Sequence, residues 1–359
     1  MVKAVYIHVP FCKSICSYCD FCKFIYNEKW AYVYLKALKK EIEDRYMGDV
    51  IDTIYIGGGT PSCLEENELI KLLELTKIFK LNQNFEFTFE CNLDDISQKL
   101  LVILKKYNVN RLSIGIQSFQ KNNLLFMQRD ANFEDAKEKI KLCRELGFNN
   151  INLDLMYAIP GETLKELKKD VKMFLKLEPN HISAYSLILE EHTKAYIDNY
   201  SYIDEEIDYK MFKYIEKTLN NVNHYEISNY AIPGFESKHN LTYWNNEEYY
   251  GFGLSSCGYI DQIRYENTKN LKKYLLGNYV NKTEILSKED QMEYEVILGL
   301  RKLKGINLSD FYKKYKVNLE DVYDIKPLLK SKDLIKKNNY LFINPSKIYV
   351  MNEILVKII

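Results

Sequence analysis

The sequence predicts an α/β chain: a parallel sheet covered by helices, then a small separate α/β or winged-helix-like domain at the C-terminus. Three observations predict it. Six β-rich runs alternate with six stretches whose apolar residues recur at helical period, a pattern of parallel strands with helices outside them. Successive strand runs start 25 to 49 residues apart, which suits strand–helix units. At 359 residues the chain is long enough for two or three domains, and 47% hydrophobic with 28% charged residues is the balance of a globular protein.

Along the chain, Ala4–Val9 leads to a helix over Glu28–Tyr46, Thr53–Ile56 to Glu65–Phe79, and Glu86–Cys91 to Ser97–Tyr107. Arg111–Ile116 leads to one long helix over Asn122–Leu146, Asn150–Ile159 to Leu164–Leu177, and His181–Leu189 to Asp204–Leu219. Glu and Lys dominate the polar faces of the helical stretches. After about Tyr230 the rhythm breaks into Ala231–Gly258, an irregular stretch rich in Asn, Tyr and Gly. From about Ser287 helix patterns return and end in a hairpin-like run, Tyr340–Val350. The predicted division is therefore a core over residues 1–230, an irregular connection over 231–286 and an accessory domain over 287–359. The spacings leave open whether the sheet is flat or closed into a barrel.

Lys plus Arg and Asp plus Glu both number 50, so the formal net charge is zero. That excludes a broadly basic protein reading nucleic acid by its charge, and a surface built on attraction to anionic lipid. No apolar run approaches the roughly 18 residues of a membrane span. The N-terminus has His8 and Pro10 where a signal peptide needs an apolar core, so the expected location is the cytoplasm. Four of the eight cysteines, Cys12, Cys16, Cys19 and Cys22, fall within eleven residues. In a cytosolic chain such a cluster reads as metal ligation or redox chemistry rather than a disulfide framework. Cys63, Cys91, Cys143 and Cys257 are scattered and read as small buried residues.

Cys12-Lys-Ser-Ile-Cys16-Ser-Tyr-Cys19 is a C-x3-C-x2-C loop directly after the first strand. Three thiolates so placed can bind three irons of a [4Fe–4S] cube and leave the fourth open to a small molecule, whereas a pure electron carrier normally uses four cysteines. The alternative is a zinc site completed by Cys22 or His8. Gly57-Gly58-Gly59-Thr60-Pro61 follows the second strand, where missing side chains let the backbone approach a ligand; read alone, it is equally a tight turn. Glu90 ends the third strand, where it could accept hydrogen bonds from a ribose, and Gln117 ends the fourth. Asp154 sits within Ile151-Asn-Leu-Asp-Leu-Met156, where burying a carboxylate is costly unless it is partnered. Polar residues at the C-terminal ends of parallel strands are where such sheets and barrels build their sites.

Together these pieces resemble the coproporphyrinogen-oxidase-like branch of the radical-SAM superfamily, over nearly the whole chain. The matching stretches are Tyr6-Ile-His-Val-Pro-Phe-Cys12, Tyr18-Cys19-Asp20-Phe21, Gly57–Pro61, Asn110–Phe119, Asp154–Thr163 and Tyr225–Tyr230. The resemblance implies a partial (β/α)6 TIM-like barrel with a C-terminal accessory domain. It also implies that Cys12, Cys16 and Cys19 hold the cluster and that S-adenosylmethionine chelates the open iron. Tyr6, Gly58, Gly59, Thr60, Glu90, Gln117, Arg129 and Asp154 fall where members of the branch contact that cofactor. The chain departs from the branch at Leu93, where a Pro is usual, at Ala131, and at Cys257, the last two replacing a His.

Two activities occur in this branch. Oxygen-independent coproporphyrinogen III oxidases (dehydrogenases) decarboxylate two propionates in haem synthesis; haem chaperones bind haem and pass it to acceptor proteins. Three features favour the second. Strand one starts at Ala4, so the N-terminal segment that covers the oxidase's substrate is expected to be absent. Phe21 stands where the oxidase has a further cysteine, with Cys22 one position later. His239-Asn240-Leu241-Thr242-Tyr243-Trp244 looks like the His-Asn-x-x-Tyr-Trp motif of the chaperones, which would make His239 a haem contact, imidazole being a common axial ligand. The expectation is a cytoplasmic haem chaperone carrying a [4Fe–4S] cluster, S-adenosylmethionine and haem. Its partners would be a haem-acceptor protein and an electron donor, with no nucleic acid and no membrane span.

Overall fold

The computed structural model describes residues 1–219 and 222–359. Strand β1 (Ala4–Val9) is followed by a short parallel pair, β2 (Phe11–Cys12) and β3 (Phe24–Ile25), which ties off the two ends of the cysteine loop. The sheet continues through β4 (Val50–Gly58), β5 (Lys80–Asn92), β6 (Arg111–Gln117), β7 (Ile151–Tyr157) and β8 (His181–Ser186). The connections carry α1 (Glu28–Arg45), α2 (Glu66–Leu75), α3 (Gln98–Lys106), α4 (Lys121–Met127), α5 (Phe133–Glu145) and α6 (Leu164–Lys176). After β8 come α7 (Lys194–Ile197) and α8 (Glu205–Thr218). Caps fix where helices begin: the side chain of Asn27 accepts from the Trp30 N–H, and Thr163 with Glu166 forms a reciprocal capping box.

Strands β1 and β4 to β8 all pair in parallel, each with its neighbour in that order. Their side chains alternate. Val5 and Ile7, Ile54 and Ile56, Phe87 and Phe89, Leu112 and Ile114, and Leu153 and Leu155 join the apolar core beneath the helices. The intervening positions face inward and are polar: Tyr55 on β4, Glu90 on β5, Ser113 on β6, Asn152 and Asp154 on β7, Ser183 on β8. The register sets Glu90 beside Ser113, Ser113 beside Asn152, and Asp154 beside Ser183, so the interior is a layered polar lining rather than a filled apolar plug.

Residues 231–286, irregular by sequence, are regular in the structure. After the short strands β9 (Asn223–Glu226) and β10 (Asn229–Ala231) come α9 (Lys238–Trp244), β11 (Tyr249–Phe252), β12 (Cys257–Ile260), β13 (Ile263–Asn267), α10 (Leu271–Leu275) and β14 (Val280–Ile285). Strand β11 adds to β1 in parallel, and β12 to β14 follow as an antiparallel meander. The glycines that masked these strands are there for close packing: a Cβ on Gly251 would stand 1.8 Å from the Cys257 carbonyl oxygen. The complete sheet has twelve strands in the order β14-β13-β12-β11-β1-β4-β5-β6-β7-β8-β10-β9, and its ends do not pair with each other among the described residues. The barrel is partial.

The predicted long helix over Asn122–Leu146 is two helices. Gln128 adopts φ 55°, ending α4, and the side chain of Asn132 caps the start of α5. In the last region, α11 (Lys288–Gly299), β15 (Ile306–Asn307), α12 (Leu308–Tyr315), α13 (Leu319–Val322) and α14 (Lys326–Lys330) precede a hairpin of β16 (Leu334–Lys337) and β17 (Tyr340–Ile343). These strands form a separate sheet, β15-β17-β16, in a winged-helix-like order. The hairpin thus precedes most of the predicted Tyr340–Val350 run. Asn338 and Asn339 turn it with both φ angles positive, and Pro345 and the Asn344 cap then start a 3-10 turn. A short helix, α15 (Met351–Val356), closes the chain. No helix among the described residues is long and apolar enough to cross a membrane.

Candidate functional site

The inward polar side chains and the cysteine loop enclose one cavity of about 740 Å³ at the C-terminal ends of β4 to β8. Of the sequence-predicted residues, Cys12, Cys16, Cys19, Gly58, Gly59, Thr60, Glu90, Gln117, Arg129 and Asp154 line it together.

The loop is pinned from several sides. Lys13 pairs with Asp95 at 2.6 Å, and Asp95 also accepts from Ser62 at 2.7 Å. Ser17 donates to the Phe126 carbonyl at 2.5 Å and accepts from the Ala195 N–H at 2.8 Å. Thr60 Oγ1 lies 3.6 Å from Cys12 Sγ, and the Arg129 guanidinium lies 3.6 Å from Cys16 Sγ. Arg129 also donates to the Gly115 carbonyl at 2.7 Å and to Asn92. It reaches these groups because the chain breaks between α4 and α5 at its position. Burial pushes the Cys12 thiol up to about 11, so a bound cation is what would hold it as thiolate. A Cβ on Gly59 would stand 2.6 Å from the Phe11 carbonyl and 3.0 Å from Cys12 Sγ, so the glycine backbone lies directly on the loop.

Glu90 accepts from Tyr55 Oη at 2.7 Å and from the Gly58 N–H at 3.1 Å. Burial raises its carboxyl to about 7, helped by the nearby Asp154. Asp154 accepts from Asn152 at 2.8 Å and is raised by burial as well. Arg111 is 2% exposed, makes one long hydrogen bond to Thr88 at 3.4 Å, and its Nε has no partner. The cavity floor thus offers carboxylates and spare donor capacity to a ligand rich in hydroxyl and charged groups. Gln117 holds φ 73° at the end of β6, where its register with β7 shifts, and this turns its side chain into the cavity.

Two predicted contacts lie elsewhere. Tyr6 stands behind the wall, its hydroxyl 3.0 Å from His8 Nδ1 and its ring 6.1 Å from that of Tyr55. His239 is 1% exposed and both ring nitrogens are engaged, Nδ1 with Thr53 at 2.8 Å and Nε2 with Tyr243 at 2.7 Å. Burial lowers it to about 3. The structure therefore does not present His239 as a free axial ligand: it is closed into the barrel floor, and only its neighbour Asn240 reaches the cavity. Sequence reasoning missed Tyr55, Arg111, Asn152 and Ser183. Polar residues two apart, at Asn152 and Asp154 and at His181 and Ser183, were the available signal.

The donor set fits a three-cysteine cluster better than zinc. Cys22 is not on the cavity wall, and its sulfur faces the Lys269 carbonyl at 4.0 Å. His8 has both nitrogens engaged, with Tyr6 and with the Cys22 carbonyl at 2.9 Å. Among the described residues no group of three or more His, Cys, Asp or Glu is gathered tightly enough for a single metal ion.

Comparison with known proteins places this geometry. The model of the Radical SAM superfamily matches residues 6–174, and that of the HemN C-terminal domain matches residues 286–346. The chain is 39% identical over 331 residues to the heme chaperone HemW of Lactococcus lactis subsp. lactis, covering 89% of this chain and 87% of that one. With the heme chaperone HemW of Bacillus subtilis it shares 38% identity over 338 residues, 90% and 89% of the two chains. The solved structure of coproporphyrinogen III oxidase from Escherichia coli superposes with a TM-score of 0.88 over 99% of this chain and 90% of that one; at 21% identity this speaks to the fold alone. Radical-SAM membership implies a [4Fe–4S] cluster and S-adenosylmethionine. At 38 and 39% identity along most of both chains, this chain belongs to the HemW family within the radical-SAM superfamily.

Proposed function

We propose that this protein binds haem and hands it to acceptor proteins, on a scaffold that carries a [4Fe–4S] cluster and S-adenosylmethionine. The observation that carries the reading is its kinship, along most of both chains, with proteins named heme chaperones. Cys12, Cys16 and Cys19 would hold the cluster, and Gly58, Gly59, Thr60, Glu90, Gln117, Arg129 and Asp154 would surround S-adenosylmethionine. When bound, these groups supply one electron and a cleavable sulfonium. The chain's own residues bind, orient and enclose them.

The lining of the cavity, polar on the strands and apolar at several loop residues, supports the reading of an apolar ligand with charged substituents. Ile15, Phe21, Leu187 and Ile188 line it on the outer side, and Phe21 and Ile188 are more than 60% exposed, at 63% and 61%. Large apolar side chains left this open mark a binding surface. Lys23 on the same wall offers a cation to a propionate. We propose a cytoplasmic location, an electron donor for the cluster, and a working division into the barrel, residues 1–230, and an accessory unit, residues 287–359.

The test is an anaerobic haem titration of the cluster-reconstituted protein. Saturable, stoichiometric binding is expected. Weak or unsaturable binding, or conversion of coproporphyrinogen to protoporphyrinogen under strict anaerobiosis, would replace this reading with that of an oxidase.

A further inference from the structure

Two part-buried carboxylates of the cavity, Glu90 and Asp154, are each reached from the same helix by a run of contacts. Helix α9 carries the His-Asn-x-x-Tyr-Trp motif and packs against β4 and α11, closing the barrel floor. At its N-cap, the Ser237 N–H donates to Tyr225 Oη at 3.2 Å, and Tyr225 Oη meets His181 Nε2 at 2.8 Å. His181 Nδ1 meets Asn152 Oδ1 at 2.6 Å, and Asn152 Nδ2 donates to Asp154 at 2.8 Å. A neutral imidazole protonated at Nδ1 satisfies every link, and all of its donors then point toward Asp154.

A second run starts two residues on. His239 is clamped between Thr53 and Tyr243, and its main-chain N–H donates to Glu86 at 3.1 Å. Its ring packs on that of Tyr55 at 5.1 Å between centroids and 31° between planes. Tyr55 Oη then donates to Glu90. Glu90 and Asp154 are carboxyls sharing one low-dielectric cavity, and these runs, together with the Gly58 N–H on Glu90 at 3.1 Å, set their direction.

We propose that His239 and His181 are positioning residues that fix Glu90 and Asp154 through Tyr55 and Asn152, and that the motif histidine acts in this way rather than by ligating haem iron. The inference rests on the reading of the cavity as the S-adenosylmethionine site. It assigns the motif to the floor of that site, where its two ring nitrogens are already spent.

The experiment is calorimetric titration of reconstituted protein with S-adenosylmethionine, for Glu90→Gln, His239→Ala and the double variant. Each single variant is expected to weaken affinity, His239→Ala by roughly tenfold, as outer supporting residues commonly do. The double variant should bind no more weakly than Glu90→Gln, because the histidine acts through that carboxylate. His239→Gln, which keeps a hydrogen bond to Tyr243 and most of the volume, should restore affinity and leave the Soret band of bound haem unmoved. His181→Asn should likewise rescue what His181→Ala loses. Additive losses in the double variant, or unchanged affinity in His239→Ala beside a weakened Glu90→Gln, overturn the positioning role alone. A shifted Soret band in His239→Gln with normal cofactor affinity makes the histidine an axial ligand and overturns it too. Unchanged affinity in Glu90→Gln removes the carboxylate from the site and takes both readings down. If His239→Ala does not fold, the two titrations of His239→Gln decide the question.

Discussion

Cys16 is the thiol on which the cluster reading turns, because Arg129 reaches its sulfur directly and its loop is pinned independently at Lys13 and Ser17. Replacing it with Ser changes one donor atom and little else. Cys16→Ser is expected to fold, to lose the broad visible absorption of the reconstituted cluster, and to fall well short of four irons per chain. A variant that still carried the full iron would refute the ligand assignment. Glu90→Ala should leave the iron content intact while weakening S-adenosylmethionine binding in calorimetry; an unchanged affinity would exclude Glu90 from the site. These residues were legible in the sequence because their chemistry is rare where they stand: clustered thiols after a strand, carboxylates at or inside strand runs. Tyr55 and Asn152 were not, since a tyrosine or asparagine in a strand has many ordinary uses and only pairing reveals which applies. The partners of His239, Thr53 and Tyr243, were hidden for the same reason, being set by tertiary packing.

Elements put these residues in place. Arg129 enters the cavity only because α4 stops at Gln128 in the left-handed conformation and α5 restarts at the Asn132 cap, whose side chain accepts from Glu134 at 2.9 Å and Asp135 at 3.3 Å. Asn132→Ala should cost about 1 kcal/mol in chemical denaturation and loosen Arg129, seen as weaker cofactor binding. A loss of stability with unchanged binding would show that the break does not depend on its cap. Gly59→Ala is a sharper case, since its Cβ would drive into the Phe11 carbonyl and the Cys12 sulfur, backbone and ligand rather than a yielding side-chain tip. A cost of about 1–3 kcal/mol and reduced iron retention are expected; full iron with normal stability would mean the loop can retreat. The strand–helix alternation was readable because its two periods differ. The α4–α5 break was not, because Gln128 and Asn132 interrupt no apolar repeat. The strands after α9 were hidden by Gly and Asn residues that serve close backbone packing and turns.

At the scale of the whole molecule, the polar barrel interior makes stability depend on pH in a particular way. Burial lowers His8 to about 4 and His239 to about 3, from an ordinary 6.5, and lowers His181 as well. Between those values and 6.5 the unfolded chain binds more protons, so these histidines make stability rise with pH up to about 6.5. The buried carboxyls act oppositely. Burial raises Glu90 and Glu226 from 4.5 to about 7 and Glu162 to about 8, so the folded state binds more protons and stability falls as pH climbs through that interval. From pH 4.5 to 6.5 the two sets work against one another: burial lowers His224 as well, and Glu41, Asp154, Asp170, Asp208 and Glu247 join the raised carboxyls, which outnumber the imidazoles. Above 6.5 the imidazole contribution fades, and by about pH 7.5 the imidazoles are neutral in both states and the carboxyls act alone. The melting temperature of the cluster-free protein should therefore decline from about pH 6.5 to pH 8. Glu162 accepts from Asn123 at one carboxyl oxygen, 3.0 Å, and from the Ile159 N–H at the other, 3.2 Å, and the single oxygen of an amide can keep one of these bonds. Glu162→Gln should thus lower stability at every pH by the lost bond but flatten the upper limb, shrinking the fall between pH 6.5 and 8 by about 1–2 kcal/mol. Thermal melts of both proteins across the range decide it. A melting temperature that rises between pH 6.5 and 8, or an unaltered limb in the variant, would mean that the interior carboxyls are charged in the folded state and held by partners other than those identified in the barrel.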